Sequence, residues 1–125
     1  MPGGELSVRT YPHPSGLWIT MPLTVGRVKS LAMVIDSGSP VSAISPEIAD
    51  ELRQFELLAP AEAPRYEYRL TALTVDGQPL PDLEVRILPR LTRLGIAGLV
   101  GLDFLSQFLA VHFYVLRREL VLEDS

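Results

Sequence analysis

Leu31-Ala32-Met33-Val34-Ile35-Asp36-Ser37-Gly38-Ser39-Pro40 is the stretch on which the reading of this chain turns. Five apolar residues in a row, without polar alternation, describe a strand buried on both faces. The run stops at an acid followed by residue types that turns prefer. An acid at the end of a fully apolar strand is costly to bury unless it is hydrogen-bonded or put to use. Asp36 therefore carries two readings, the start of an ordinary turn or a functional carboxylate. The Asp-Ser-Gly triplet does not choose between them, because composition alone produces an Asp-Ser/Thr-Gly in roughly one chain in ten or twenty of this length. Its setting has to decide.

Upstream, Leu17, Ile19, Met21, Leu23 and Val25 alternate, as in a half-buried strand, and Gly26-Arg27 turns the chain back toward Leu31. Pro22 lacks a donor and predicts that this strand lies at an edge or keeps its proline on the unpaired side. Residues 1–16 read as a lead-in, stiffened by Pro12-His13-Pro14.

Downstream, Ser45-Pro46-Glu47 is an N-cap, a proline at the first helical position and an acid in the first turn; Ile48, Leu52 and Phe55 then mark a short helix to about Leu58. Ala59 to Pro64 reads as a proline-rich loop. Tyr66 to Val75, the turn Asp76-Gly77 and the alternating Leu83, Val85 and Ile87 read as a hairpin. After a polar connector from Pro89 to Ile96, Leu99-Val100-Gly101 leads into a second short helix, with Phe104 and Phe108, and Leu105 and Leu109, spaced for one face. Ala110 to Val115 and Glu119 to Leu122 are strand-like and are joined by Leu116-Arg117-Arg118, a solvated turn. The class is mainly β with two short helices.

Composition narrows the functions. The chain has 125 residues, 47% hydrophobic and 21% charged, the size and make-up of one globular domain. We place that domain at residues 17–125. Eleven basic residues against fifteen acidic ones give a net charge of -4, which supplies no basic surface for nucleic acid. The absence of cysteine excludes disulfides, thiolate nucleophiles and cysteine-bound zinc, and suits a reducing compartment.

His13 and His112 are the only imidazoles, and neither sits at motif spacing to a carboxylate, so no metal is expected. His112 reads as a satisfied sheet residue. The glycines of Gly95 to Gly101 lack G-x-G-x-x-G spacing and the lysine of a phosphate loop. No Gly-x-Ser-x-Gly elbow supports a serine nucleophile. Trp18, Phe104 and Phe108 read as core. The opening Met1-Pro2-Gly3-Gly4-Glu5 is unlike a signal peptide, and Gly95 to Val115 is broken by polar residues before it reaches about 18 apolar ones. A cytoplasmic protein is expected, with an upstream anchor left open.

With both motifs in order, Val34-Ile35-Asp36-Ser37-Gly38-Ser39 and Leu99-Val100-Gly101-Leu102-Asp103-Phe104-Leu105, the chain resembles the retropepsin-like aspartic proteases, the single-domain relatives of the pepsins. The resemblance runs from about Leu17 to Leu122. It implies a single-lobe, acid-protease-like closed β-barrel, one half of a pepsin-type fold. It makes Asp36 the catalytic carboxylate, lets Gly38 bend the backbone close to it, and gives Ser37 the task of bracing the partner loop. Ser39 lines the loop's outer edge, and Leu99, Val100 and Gly101 pack beneath. The implied reaction is peptide-bond hydrolysis by one water held between two carboxylates, without a cofactor. One Asp-Ser/Thr-Gly per chain implies a homodimer in which Asp36 faces Asp36. The partner it acts on is a peptide or protein.

Two features depart from the pattern. Relatives cover the substrate with a glycine-bearing flap, but no glycine lies between Gly38 and Gly77, so the flap is short, at Glu62 to Tyr68, or absent. Leu102 stands where retroviral members commonly carry an arginine that ties the active-site loop to the dimer contact. The terminal hairpin is also longer than the retroviral form. These departures keep a non-catalytic peptide-binding or assembly module of the same fold as the alternative, and a protease active only within a larger protein or at a membrane as a third.

Overall fold

The structure is a computed structural model that describes residues 4–124. In chain order the elements are β1 (Glu5–Arg9), β2 (Tyr11–Pro12), β3 (Ile19–Val25), β4 (Lys29–Ile35), β5 (Ala43–Ile44) and α1 (Pro46–Gln54). They continue with β6 (Leu58–Pro60), β7 (Tyr68–Leu70), β8 (Leu73–Val75), β9 (Gln78–Pro79) and β10 (Leu83–Ile87). A single helical turn α2 (Arg90–Arg93), β11 (Gly98–Val100), a second turn α3 (Leu102–Leu105), β12 (Ala110–Tyr114) and β13 (Glu119–Glu123) complete them.

The main sheet runs β6-β7-β10-β5-β11-β4-β3-β8-β9, with β2 added to β3. It curls into the half-barrel of a mainly β, single-lobe fold. The circuit stays open, because no ladder joins the end strands β6 and β9 among the described residues. Both are short and carry a proline, Pro60 or Pro79, which withholds a donor from any further pairing. Met21, Leu23, Val25, Leu31 and Met33 fill the main core with Leu52, Leu70, Val85 and Phe104. A smaller cluster of Val34, Ala43, Leu91, Ile96 and Leu99 covers part of the opposite face.

Several expectations are refined. β4 is buried on both faces only toward its end, where Met33 and Val34 enter different clusters; Ala32 is exposed because the second cluster does not reach it. Leu17 stands 74% exposed, ahead of the strand it was expected to start. Pro22 lies between Thr20, which pairs with β2, and Thr24, which pairs with β8, so the outer side of β3 has no ladder partner there.

Ser45 caps α1 by accepting from the Ile48 amide at 3.2 Å, and Pro46 follows. The helix ends at Gln54, short of Leu58, because Glu56 adopts a left-handed φ of 56° and the Leu57 amide returns to the Leu52 carbonyl at 2.8 Å. Phe55 is thereby left exposed. The expected strand from Tyr66 to Val75 is split by Ala72, at φ 52°, into β7 beside β10 and β8 beside β3. Asp76 and Gly77, both at positive φ, make the turn from β8 to β9 that their sequence predicts.

The lead-in also contributes structure. β1 pairs with β13, which pairs with β12, so residues 5–9 join the terminal hairpin in a second, three-stranded sheet. β2 and the turn after it are stitched to β3, with the His13 amide donating to the Trp18 carbonyl. Residues 1–3 lie outside the described residues. The helix expected after Gly101, α3, is one turn, not the two that the Phe104/Phe108 spacing suggests; Phe108 instead packs edge-on against Phe104 from beyond it. No described helix is long and apolar enough to cross a membrane.

Candidate active site

Asp36 is the first residue beyond β4, and its position is set by β11. β11 runs parallel to β4, with Val100 opposite Ile35, and antiparallel to β5, with Leu99 opposite Ala43. Residues 36–42 must therefore arch from one side of β11 to the other. The Asp36 amide donates to the Val100 carbonyl at 2.9 Å, which locks the start of the arch to the strand beneath. The half-buried side chain accepts from the Gly38 amide through Oδ1 at 3.0 Å, and the Asp36 carbonyl accepts from the Ser39 amide. A local turn thus orients the carboxyl group, and among the described residues it has no ion pair.

Gly101 passes directly under the arch. A Cβ there would sit 2.5 Å from the Ser39 carbonyl oxygen and 2.7 Å from that of Val41, distances no side chain tolerates. This close approach lets the Leu102 amide donate to the Ser39 carbonyl at 2.8 Å and the Gly101 amide donate to Ser42 Oγ at 3.0 Å. With leucine at 102, backbone bonds join the two motifs.

A second carboxylate braces the far end of the arch. Asp103 Oδ1 accepts from Ser42 Oγ at 2.6 Å and from the Phe104 amide at 2.8 Å. Its Oδ2 accepts from the Ser42 amide at 2.8 Å and from the Tyr66 hydroxyl at 2.7 Å. Burial and the hydrogen bond to Asp103 push the Tyr66 hydroxyl up to about 12, since both disfavour the phenolate. Sequence alone assigns Asp103 no role beyond its place in the second motif. An acid at the start of a helix that follows Gly101 was the available signal; nothing local pointed to Tyr66.

The arch brings the expected residues together. Ser37 and Gly38 are exposed, and among the described residues the Ser37 hydroxyl has no hydrogen-bond partner. Ser39 Oγ donates to the Val41 carbonyl at 2.7 Å. Leu99 and Val100 are buried beneath. The two histidines lie elsewhere: His13 Nε2 is 2.9 Å from the Gly95 carbonyl and His112 Nε2 is 3.0 Å from Glu123. No group of three His, Cys, Asp or Glu side chains is placed to hold a metal ion among the described residues.

The segment in the flap position is a hairpin of β6 and β7 joined by residues 61–67, with Pro60 opposite Tyr68. Glu84 accepts from the Glu62 amide at 2.5 Å and from the Ala63 amide at 3.3 Å. Arg69 pairs with Glu62 at 2.6 Å, and Tyr66 reaches Asp103.

A half-barrel with a carboxylate-bearing arch threaded by a hydrophobic-hydrophobic-glycine segment is the single-lobe, retropepsin-like fold. Two solved structures carry that likeness. One is a retropepsin-like aspartic protease from Rickettsia conorii, at a TM-score of 0.59 and 15% identity over 97% of this chain and 90% of that one. The other is the retroviral protease-like domain of Ddi1 from Leishmania major, at 0.57 and 16% identity over 86% of this chain and 96% of that one. No protein-family model and no curated protein matches the chain.

Proposed function

We propose that this chain is an aspartic endopeptidase that acts as a homodimer, with Asp36 of each copy flanking one water. One carboxylate takes a proton from the water as its oxygen attacks the scissile carbonyl carbon; the other, protonated, donates to the carbonyl oxygen. The tetrahedral species then breaks its C–N bond as a proton passes to the leaving amine. Two carboxylates one water apart cannot both ionise, so they share a proton and titrate as a unit, and cleavage follows a bell in pH. Ser37, whose hydroxyl is unbonded among the described residues, is available to brace the partner loop. An extended peptide would pair its backbone with strand edges beside the arch. The lack of cysteine is compatible with a cytoplasmic setting.

The observation that carries this reading is the placement of Asp36, half-buried on an arch that Val100 and Gly101 fix from below. Its test is cleavage of a peptide pool from pH 3 to 8 at several protein concentrations, with Asp36→Asn alongside. A rate that rises faster than linearly with concentration, peaks in pH and vanishes in the variant supports the reading. Equal cleavage by Asp36→Asn overturns it. The alternative, a non-catalytic peptide-binding or assembly module, is favoured by one feature, the flap-position loop tied down to Glu84 and Asp103.

A further inference from the structure

Val115-Leu116-Arg117-Arg118 turns the chain from β12 into β13, closed by the Arg118 amide donating to the Val115 carbonyl at 3.2 Å. None of the four is a Gly, Asn, Asp, Pro or Ser, the types that turns prefer, and Arg118 takes a left-handed φ of 51°, which suits glycine or asparagine better. Turn chemistry therefore does not account for this sequence. Leu116 stands 99% exposed and Val115 63%, at positions where polar residues would serve folding as well.

Two different grooves flank this tip. The Thr10 amide donates to the Arg118 carbonyl at 2.8 Å, which stitches the turn to the junction of β1 and β2. On one side, Tyr11, Pro12 and Ile19 join Val115 and Leu116 around a mostly apolar groove of about 320 Å³. On the other, Arg9, Arg117 and Arg118 line a groove of about 240 Å³ together with Asp76 and Glu119. The Arg117 guanidinium lies 4.0 Å from the Tyr114 ring centroid, and its Nε is 3.6 Å from Glu119. Among the described residues, Arg9 and Arg118 have no ion pair. In a chain of net charge -4, this end gathers three arginines against two acids, and one of the acids, Glu119, is engaged by Arg117 and Ser7.

We propose that this tip is a membrane-contact loop: Leu116 and Val115 enter the acyl boundary of an anionic phospholipid leaflet, while Arg9, Arg117 and Arg118 meet the headgroup phosphates. Tyr11 and Tyr114, 48% and 40% exposed, stand at the base of the tip, at the headgroup level that amphipathic rings favour. Size selects a bilayer over a protein partner. A stable protein interface takes roughly 800 Å² from each side, more than a four-residue turn and its flanks present. Binding to a bilayer surface needs only buried apolar side chains and attraction to anionic lipid, with no matching surface opposite. Asp76 and Glu119 oppose that attraction, so the contact is reversible and weakens with salt. It makes no use of Asp36 and does not depend on the proposed cleavage.

The test is co-sedimentation with vesicles of phosphatidylcholine alone or of phosphatidylcholine mixed with phosphatidylserine, at low and high salt. The unmodified chain should bind the mixed vesicles at low salt and leave them at high salt. Leu116→Ser should bind at least roughly tenfold more weakly, as for one leucine no longer buried, and Arg117→Gln and Arg118→Gln roughly fivefold more weakly each. Leu94→Ser, which alters an exposed leucine elsewhere, should bind like the unmodified chain. A second measurement reports insertion directly. In this cysteine-free chain, Leu116→Cys carrying an environment-sensitive fluorophore should shift to the blue on the mixed vesicles, and Leu94→Cys with the same label should not. No binding to the mixed vesicles, full binding by Leu116→Ser, equal binding to phosphatidylcholine alone, or equal shifts at positions 116 and 94 would overturn the proposal; the first of these leaves the tip to a protein partner.

Discussion

Two loops meet at Asp103, and they are held in opposite ways. Residues 36–42 are secured from inside, by backbone bonds to Val100 and Leu102, by a glycine that only fits because it has no Cβ, and by the fully buried Ser42. Residues 61–67 are secured from outside, by Glu84 and by an Arg69–Glu62 pair whose glutamate is 79% exposed. Buried, short-range contacts tolerate one geometry, whereas exposed ion pairs contribute about 0–1 kcal/mol and weaken with salt. The arch is thus a rigid mount for Asp36, and the hairpin loop is the more loosely held of the two.

The strongest challenge to this contrast is Asp36→Asn. It should lower cleavage by about 10³-fold, the scale of a lost acid–base group, with no change in melting temperature, because asparagine keeps the Oδ1 acceptor that the Gly38 amide uses. A drop in stability as large as that in activity would show that Asp36 holds its loop. Next is Gly101→Ala, which forces a methyl against two backbone carbonyls and should cost about 3 kcal/mol in urea unfolding. A neutral result would mean that the close approach is not what fixes the arch.

Asp103→Ala strands two donors of buried Ser42 and should cost about 2 kcal/mol; Asp103→Asn, which keeps one acceptor oxygen, should cost less than half of that. Tyr66→Phe removes the link between the loops and should cost about 1 kcal/mol or less. Its signature lies in alkali. The Tyr66 hydroxyl is raised from 10.0 to about 12 in the folded state, so its contribution is complete below pH 10 and is lost as pH rises through 12. Urea titrations between those limits should fall more steeply for the unmodified chain than for Tyr66→Phe. The smallest effect concerns salt: at high ionic strength the Glu62 and Ala63 amides, which donate to Glu84, should exchange hydrogen faster while those of Ser42 and Leu102 stay protected. Equal acceleration in both loops would erase the distinction.

The arch was legible in sequence for the reason that makes it rigid. Its parts are local: an apolar strand that ends at Asp36, turn residues at Ser37-Gly38, and an apolar pair ahead of Gly101. The hairpin loop was not legible, since Glu84 and Asp103 hold it from elements far along the chain. Phe108 misled for a similar reason. Its spacing from Phe104 fits a helix, but the chain leaves the helix after Leu105 and the ring returns by packing alone. Residues 1–16 were read as lead-in because strand pairing with β13 leaves little periodic trace in five residues.

Periodicity, capping and turn chemistry act between neighbours along the chain. They sufficed for the mainly β class, the Ser45 cap, the Asp76-Gly77 turn and the singling out of Asp36 beside Leu99-Val100-Gly101. Tertiary structure alone decided that β11 runs between β4 and β5, that Asp103 gathers Ser42 and Tyr66, and that Arg9 and Tyr11 flank the turn between β12 and β13. Each of these depends on which distant segments share a ladder or a cavity, and side-chain spacing in one segment does not encode the partner it will meet.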